Sequence, residues 1–76
     1  MRHWLKQMRK AKDLTQFQVA QLSGISRSYY ADIERGVANA GGQAAKNIAD
    51  VLGFDMSLFF ADSRRVTRHE EKTKTA

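Results

Sequence analysis

Apolar residues recur along this chain at the three-and-four spacing of helices, in short blocks separated by turn-forming residues. In the first block Met1, Trp4, Leu5, Met8 and Ala11 make one stripe, and Arg2, Lys6, Lys10 and Lys12 fall on its wet side. Arg9 sits beside the stripe rather than opposite it, and Lys12-Asp13 ends the helix. Thr15, with Gln18 three residues on, reads as a capping box that opens a second helix. That helix carries Val19 and the small Ala20, and it must stop at Gly24, which enters a left-handed conformation without strain. Ile25 supplies an apolar plug under the turn, and Ser26 caps a third helix. Tyr30 and Ile33 share its inner face, Arg27, Ser28 and Asp32 fall on the other, and Gly36 ends it. After a loop of small residues over 37–43, Ala45, Ile48, Ala49 and Leu52 form the stripe of a fourth helix that ends at Gly53. Phe54 then enters the core, and Asp55 caps a short fifth helix containing Met56, Leu58, Phe59 and Phe60. With no proline and few β-branched runs, the chain is predicted to be all-α.

Residues 15–36 thus hold two short helices joined by a tight glycine turn, which is the layout of a helix-turn-helix whose second helix lies in the DNA major groove. The stretches LTQFQVAQLSGIS, SYYADIERG and IADVLGF resemble, in correct register, the Cro- and repressor-like helix-turn-helix family of bacteria and phages, also called the xenobiotic-response-element type. The resemblance covers residues 5–60 and implies a compact five-helix fold like that of lambda repressor. It also implies roles. Arg9 would pair with Glu34 and tie the first helix to the third, a structural ion pair. Gln16 would donate to a DNA phosphate and support the recognition helix, residues 26–35. Arg27, Ser28 and Asp32 would face base edges, while Tyr29, Arg35 and Asn39 would lie along the DNA backbone.

Side-chain chemistry sharpens these expectations. The fork of Arg27 suits guanine O6 and N7, and Ser28 is weakly selective alone. Asp32 can only accept, so it either meets cytosine N4 or orients Arg27 or Arg35 within the helix. Tyr30 reads as core because it shares a face with Ile33, leaving Tyr29 as the surface aromatic with its hydroxyl near phosphate. The chain departs from the family at Phe17, Ala40 and Gly42, where a polar residue, a proline and a leucine are common. Phe17 then lies on the first helix, at a contact, or exposed. The glycine pair at 41–42 permits close approach to phosphate at the cost of a looser loop.

The last block holds more apolar surface than so short a helix can bury. Met56 and Phe59 are expected to close the core, and Leu58 and Phe60 are surplus, which marks a dimer contact unless Phe60 folds back over the first helix near Trp4. One small domain presents one recognition helix that reads only a few base pairs. A homodimer on a double-stranded operator with two half-sites is therefore expected.

At 76 residues the chain is one small domain, expected over 1–62, near the lower limit for a self-supporting core. Residues 63–76 have almost no apolar content and read as a flexible basic tail. The formal charge of +5 divides as +4 over residues 1–35, −2 over 36–62 and +3 over the tail. A basic half that coincides with the motif is what phosphate contact requires. There is no cysteine, no apolar run long enough for a membrane span and no signal peptide, so a cytoplasmic, nucleoid-associated protein is expected. No catalytic constellation is present: His3 and His69 lack metal-ligand spacing to carboxylates, Ser28 lacks a histidine base, and no metal or cofactor is implied. The reading is a sequence-specific DNA-binding transcriptional regulator, a repressor by preference. The alternatives on the same fold are an antitoxin-type module whose main partner is a protein, and a restriction-modification controller.

Overall fold

The computed structural model describes residues 1–61. Four helices follow in order: α1 (His3–Ala11), α2 (Gln16–Ser23), α3 (Arg27–Arg35) and α4 (Gly42–Leu52). A short α5 occupies 57–61, and no strand occurs among the described residues. The basic tail read over 63–76 lies outside them. Among the described residues no helix is long and apolar enough to cross a membrane.

One apolar cluster holds the helices together. Leu5 from α1, Val19 and Ala20 from α2, Tyr30 and Ile33 from α3, Ala45, Ile48 and Leu52 from α4 and Phe59 from α5 are all buried. Ala20 and Ala45 are small where helices cross, which lets α2 pack closely against both α3 and α4. Met56 joins the cluster as a half-buried neighbour, as expected. An aromatic trio closes the end of the fold: Trp4 meets Phe54 edge-on at 5.4 Å and Phe59 at 5.2 Å. The residue over Trp4 is therefore Phe59, and Phe60 is exposed by 53%.

The expected stripe of α1 needs correcting at both ends. Met1 is 58% exposed and Ala11 is exposed, while Arg2, assigned to the wet side, is only 6% exposed. The cause is the helix start. Arg2 is the N-cap, with φ −86° and ψ 79°, so the helical period does not apply to it and its side chain turns inward. Lys12 and Asp13 do end α1, and Asp13 takes φ 60°, an uncommon value for a residue other than glycine.

Candidate nucleic-acid interface

The capping box predicted for α2 forms on both sides. The Gln18 N–H donates to Thr15 Oγ1 at 3.1 Å, and the Thr15 N–H donates to Gln18 Oε1 at 2.8 Å. Gly24 ends α2 with φ 73°, and its turn is closed by the Ile25 N–H donating to the Ala20 carbonyl at 3.0 Å. Ile25 packs half-buried under this turn, and Ser26 Oγ accepts the Tyr29 N–H at 3.0 Å. The direction of α3 is thus determined by a glycine, a plug and a cap within three residues. From the other side, Asn47 of α4 donates its amide to the Ser23 carbonyl at 3.0 Å and holds the end of α2.

The inner side of α3 is sealed. Tyr30 and Ile33 are 0% exposed and Glu34 is 1% exposed. A buried carboxylate needs partners, and Glu34 has three. Arg9 Nε donates to its Oε2 at 2.7 Å and Arg9 Nη2 to its Oε1 at 3.3 Å. The Tyr30 hydroxyl donates to Oε2 at 2.8 Å, and Gln16 Nε2 donates to Oε1 at 3.0 Å. Burial by itself would push the Glu34 carboxyl up, but the donors from Arg9, Gln16 and Tyr30 outweigh it and hold the group below the usual glutamate range. The hydrogen bond to Glu34 likewise raises Arg9 above the ordinary guanidinium value against the cost of its burial. Tyr30 moves far above the ordinary phenol value, first through burial and then through its bond to Glu34. The ion pair implied by the resemblance is present, and one further Arg9 nitrogen donates to the Leu14 carbonyl at 2.9 Å.

The outer side of α3 is open. Arg27 and Ser28 are exposed in its first turn and Asp32 is half-buried one turn later. Of the alternatives left for Asp32, the structure has it paired with Arg35 on the same helix, both side chains remaining accessible. Tyr29 differs from expectation in what its hydroxyl does. It donates to the Asn39 carbonyl at 3.2 Å and accepts the Gly41 N–H at 3.0 Å. Its one proton is committed within the chain, so the ring braces the loop 36–41. Gln16 likewise spends one donor on Glu34, which joins the first turn of α2 to α3. Phe17, next to it, is 56% exposed.

Sequence reasoning missed one residue of this region, Arg2. Its Nη1 donates to the Ile33 carbonyl at 2.6 Å and the Ala38 carbonyl at 3.0 Å, its Nη2 donates to Asn39 Oδ1 at 2.9 Å, and its backbone N–H donates to the Glu34 carbonyl at 2.8 Å. The side chain therefore caps the C-terminus of α3, where a cation also meets the negative end of the helix dipole. Gly36, at φ 83°, ends α3 there, and a Cβ on it would come within 3.5 Å of the Met1 nitrogen. No helical spacing flags such an arginine; its place just before the first helical residue was the available signal.

The helix-turn-helix family matches residues 5–59 of the chain, the segment that builds α1 to α5. The chain is 42% identical over 72 residues to the uncharacterised HTH-type transcriptional regulator YqaF of Bacillus subtilis (strain 168), a match that covers 95% of both proteins. It is 33% identical over 66 residues to the immunity repressor protein of Bacillus phage phi105, covering 87% of this chain and 46% of the repressor. The chain thus spans about half the length of that phage protein. With the capped turn between α2 and α3 formed and the matched segment coextensive with the fold, the chain belongs to the Cro- and repressor-like helix-turn-helix family of transcriptional regulators.

Proposed function

We propose that the protein is a sequence-specific double-stranded DNA-binding repressor of transcription that presents α3 to the major groove. The observation that carries this reading is the division of α3 itself. Its inner residues are locked into the core and its outer first turn offers Arg27 and Ser28 to solvent on a helix whose direction is determined at both ends. Base readout needs such a rigid, exposed set of donors and acceptors. Arg27, Ser28 and Asp32 are assigned to base edges. Gln16, Arg35, Asn39 and the loop braced by Tyr29 are assigned to phosphates, which give position and affinity without sequence information. The relatives' names, a transcriptional regulator and an immunity repressor, support regulation as the role. A cytoplasmic, nucleoid-associated location follows from that role.

The operator in this reading has two half-sites about one turn, ~34 Å, apart, occupied by a symmetric dimer. Leu58 is 38% and Phe60 53% exposed at the edge of α5, side by side with the core residue Phe59, and these two form the contact. The experiment is selection of bound sequences from a random DNA pool, followed by sedimentation of the parent and Phe60→Asp chains on the selected duplex. A palindromic consensus bound by two copies, with cooperativity lost in Phe60→Asp, is the expected result. A pool that yields no consensus would sink the sequence-specific reading, and a variant that still binds cooperatively would place the dimer contact elsewhere.

A further inference from the structure

Arg2 is nearly buried. It reaches a main-chain carbonyl of α3, a carbonyl of the loop, and the side chain of Asn39, while its guanidinium lies 5.9 Å from the centroid of the Phe59 ring. Two of these contacts hold the loop against the end of α3. The third does something more specific. A primary amide has an acceptor branch and a donor branch, and a guanidinium can only donate. Asn39 can therefore meet Arg2 only through Oδ1, and the planar amide is oriented by chemistry as well as by packing. Its Nδ2H2 branch is then turned away from Arg2, on a residue that is exposed. A DNA phosphate accepts and never donates, so the branch presented to it must be the nitrogen.

We infer that Arg2 is a positioning residue for DNA binding: it sets the amide of Asn39 so that its N–H donors face a phosphate, and it holds the loop 36–41 at the end of the recognition helix. The inference rests on the proposed function, in which Asn39 lies on the DNA backbone. Tyr29 secures the same loop through the Asn39 carbonyl and the Gly41 N–H. The loop is thus held at its main chain by Tyr29 and Arg2 and at the Asn39 side chain by Arg2, and the glycine pair at 41–42 where it enters α4 need not supply rigidity itself.

The test is a double-mutant cycle of Arg2→Lys and Asn39→Ala in the full chain. It is read by affinity for a mixed-sequence duplex, by thermal midpoint, and by the Asn39 side-chain amide resonances in NMR spectra. Asn39→Ala is expected to weaken binding about fivefold, the worth of one ordinary hydrogen bond. Arg2→Lys should weaken it by a similar factor, and the double variant should lose no more than either alone. In the parent the Asn39 amide resonances should lie away from the positions of an unrestrained asparagine and move on addition of duplex; in folded Arg2→Lys they should shift back towards those positions. Losses that multiply in the double variant, or an Arg2→Lys chain that is less stable but binds like the parent, would overturn the inference and leave DNA binding intact. Asn39→Ala binding like the parent would remove Asn39 from the interface and overturn the inference, while the retained duplex affinity leaves the proposed function standing. Should Arg2→Lys not fold, the parent's NMR spectrum carries the test: Asn39 side-chain amide resonances that move on addition of duplex support the inference, and resonances that stay in place overturn it.

Discussion

The two sides of α3 gather the same residue types, the inner one with an arginine from α1, and behave in opposite ways. Both carry arginine, carboxylate and tyrosine. On the inner side Glu34 and Tyr30 are bound to each other and closed to water, and the half-buried Arg9 of α1 is bound to Glu34. On the outer side Arg27 is exposed, Asp32 and Arg35 pair within reach of solvent, and Tyr29 bonds to a loop. The lesson is that polar chemistry does not mark a functional surface; its desolvation state does. A buried ion pair contributes by the penalty its breakage would incur, whereas an exposed pair is worth little to the fold. The inner side therefore holds the helix rigid, and the outer side is left free to respond to a ligand.

The largest effect is expected where the inner side is broken. Arg9→Met leaves Glu34 buried without its cation and should cost roughly 3–5 kcal/mol of stability, measured by denaturant unfolding. For a domain of this size such a loss approaches the whole stability, so the variant should be largely unfolded at physiological temperature. A loss under about 1 kcal/mol would show that the pair behaves like a surface bridge. The same junction gives a pH dependence. Because the Glu34 carboxyl is held below its ordinary value, its contribution is complete above about pH 4.3, the unfolded value, and is lost as pH falls through the lower folded value. Acid unfolding of Glu34→Gln, where it folds, should lack that component.

Next in size is the outer side. Arg27→Ala should leave the unfolding midpoint within experimental error and remove roughly 1–3 kcal/mol of discrimination at one base pair. Equal weakening on every sequence would turn Arg27 into a phosphate contact. The smallest effect should come from the outer residue that bonds to the loop. Tyr29→Phe deletes the hydroxyl that bridges Asn39 and Gly41, and it should cost about 1 kcal/mol in stability and a few-fold in affinity for all duplexes alike. If affinity falls only on the selected site, Tyr29 takes part in sequence recognition.

Which of these features could be read from the residues follows from how local their causes are. The capping box at Thr15, the glycine turn at 24 and the cap at Ser26 are each satisfied within five residues, so spacing alone announces them. Tyr30 and Ile33 were assignable to the core by period. Glu34 lies one turn beyond Tyr30 on the same face, but a carboxylate is an improbable core residue until its partners are known, and two of the three sit 18 and 25 positions away. Only the resemblance to a family with that pair pointed to it. Arg2 escaped both routes. A period counted from Met1 assumes that the helix begins there, and the helix begins at His3. The bond of Tyr29 to the loop was hidden for a related reason: a loop of small residues has no period from which its path can be inferred.

The carboxylate of Glu34 also bears on how the domain comes apart. Its three partners arrive from α1, α2 and α3, one from each. Fraying of any one of these helices would expose the others to a buried anion short of a donor, so partial opening carries nearly the cost of complete opening. Amide hydrogens in the centres of α1, α2 and α3 should accordingly exchange with one common protection factor, and α3 should have no local excursion of its own between folded and unfolded.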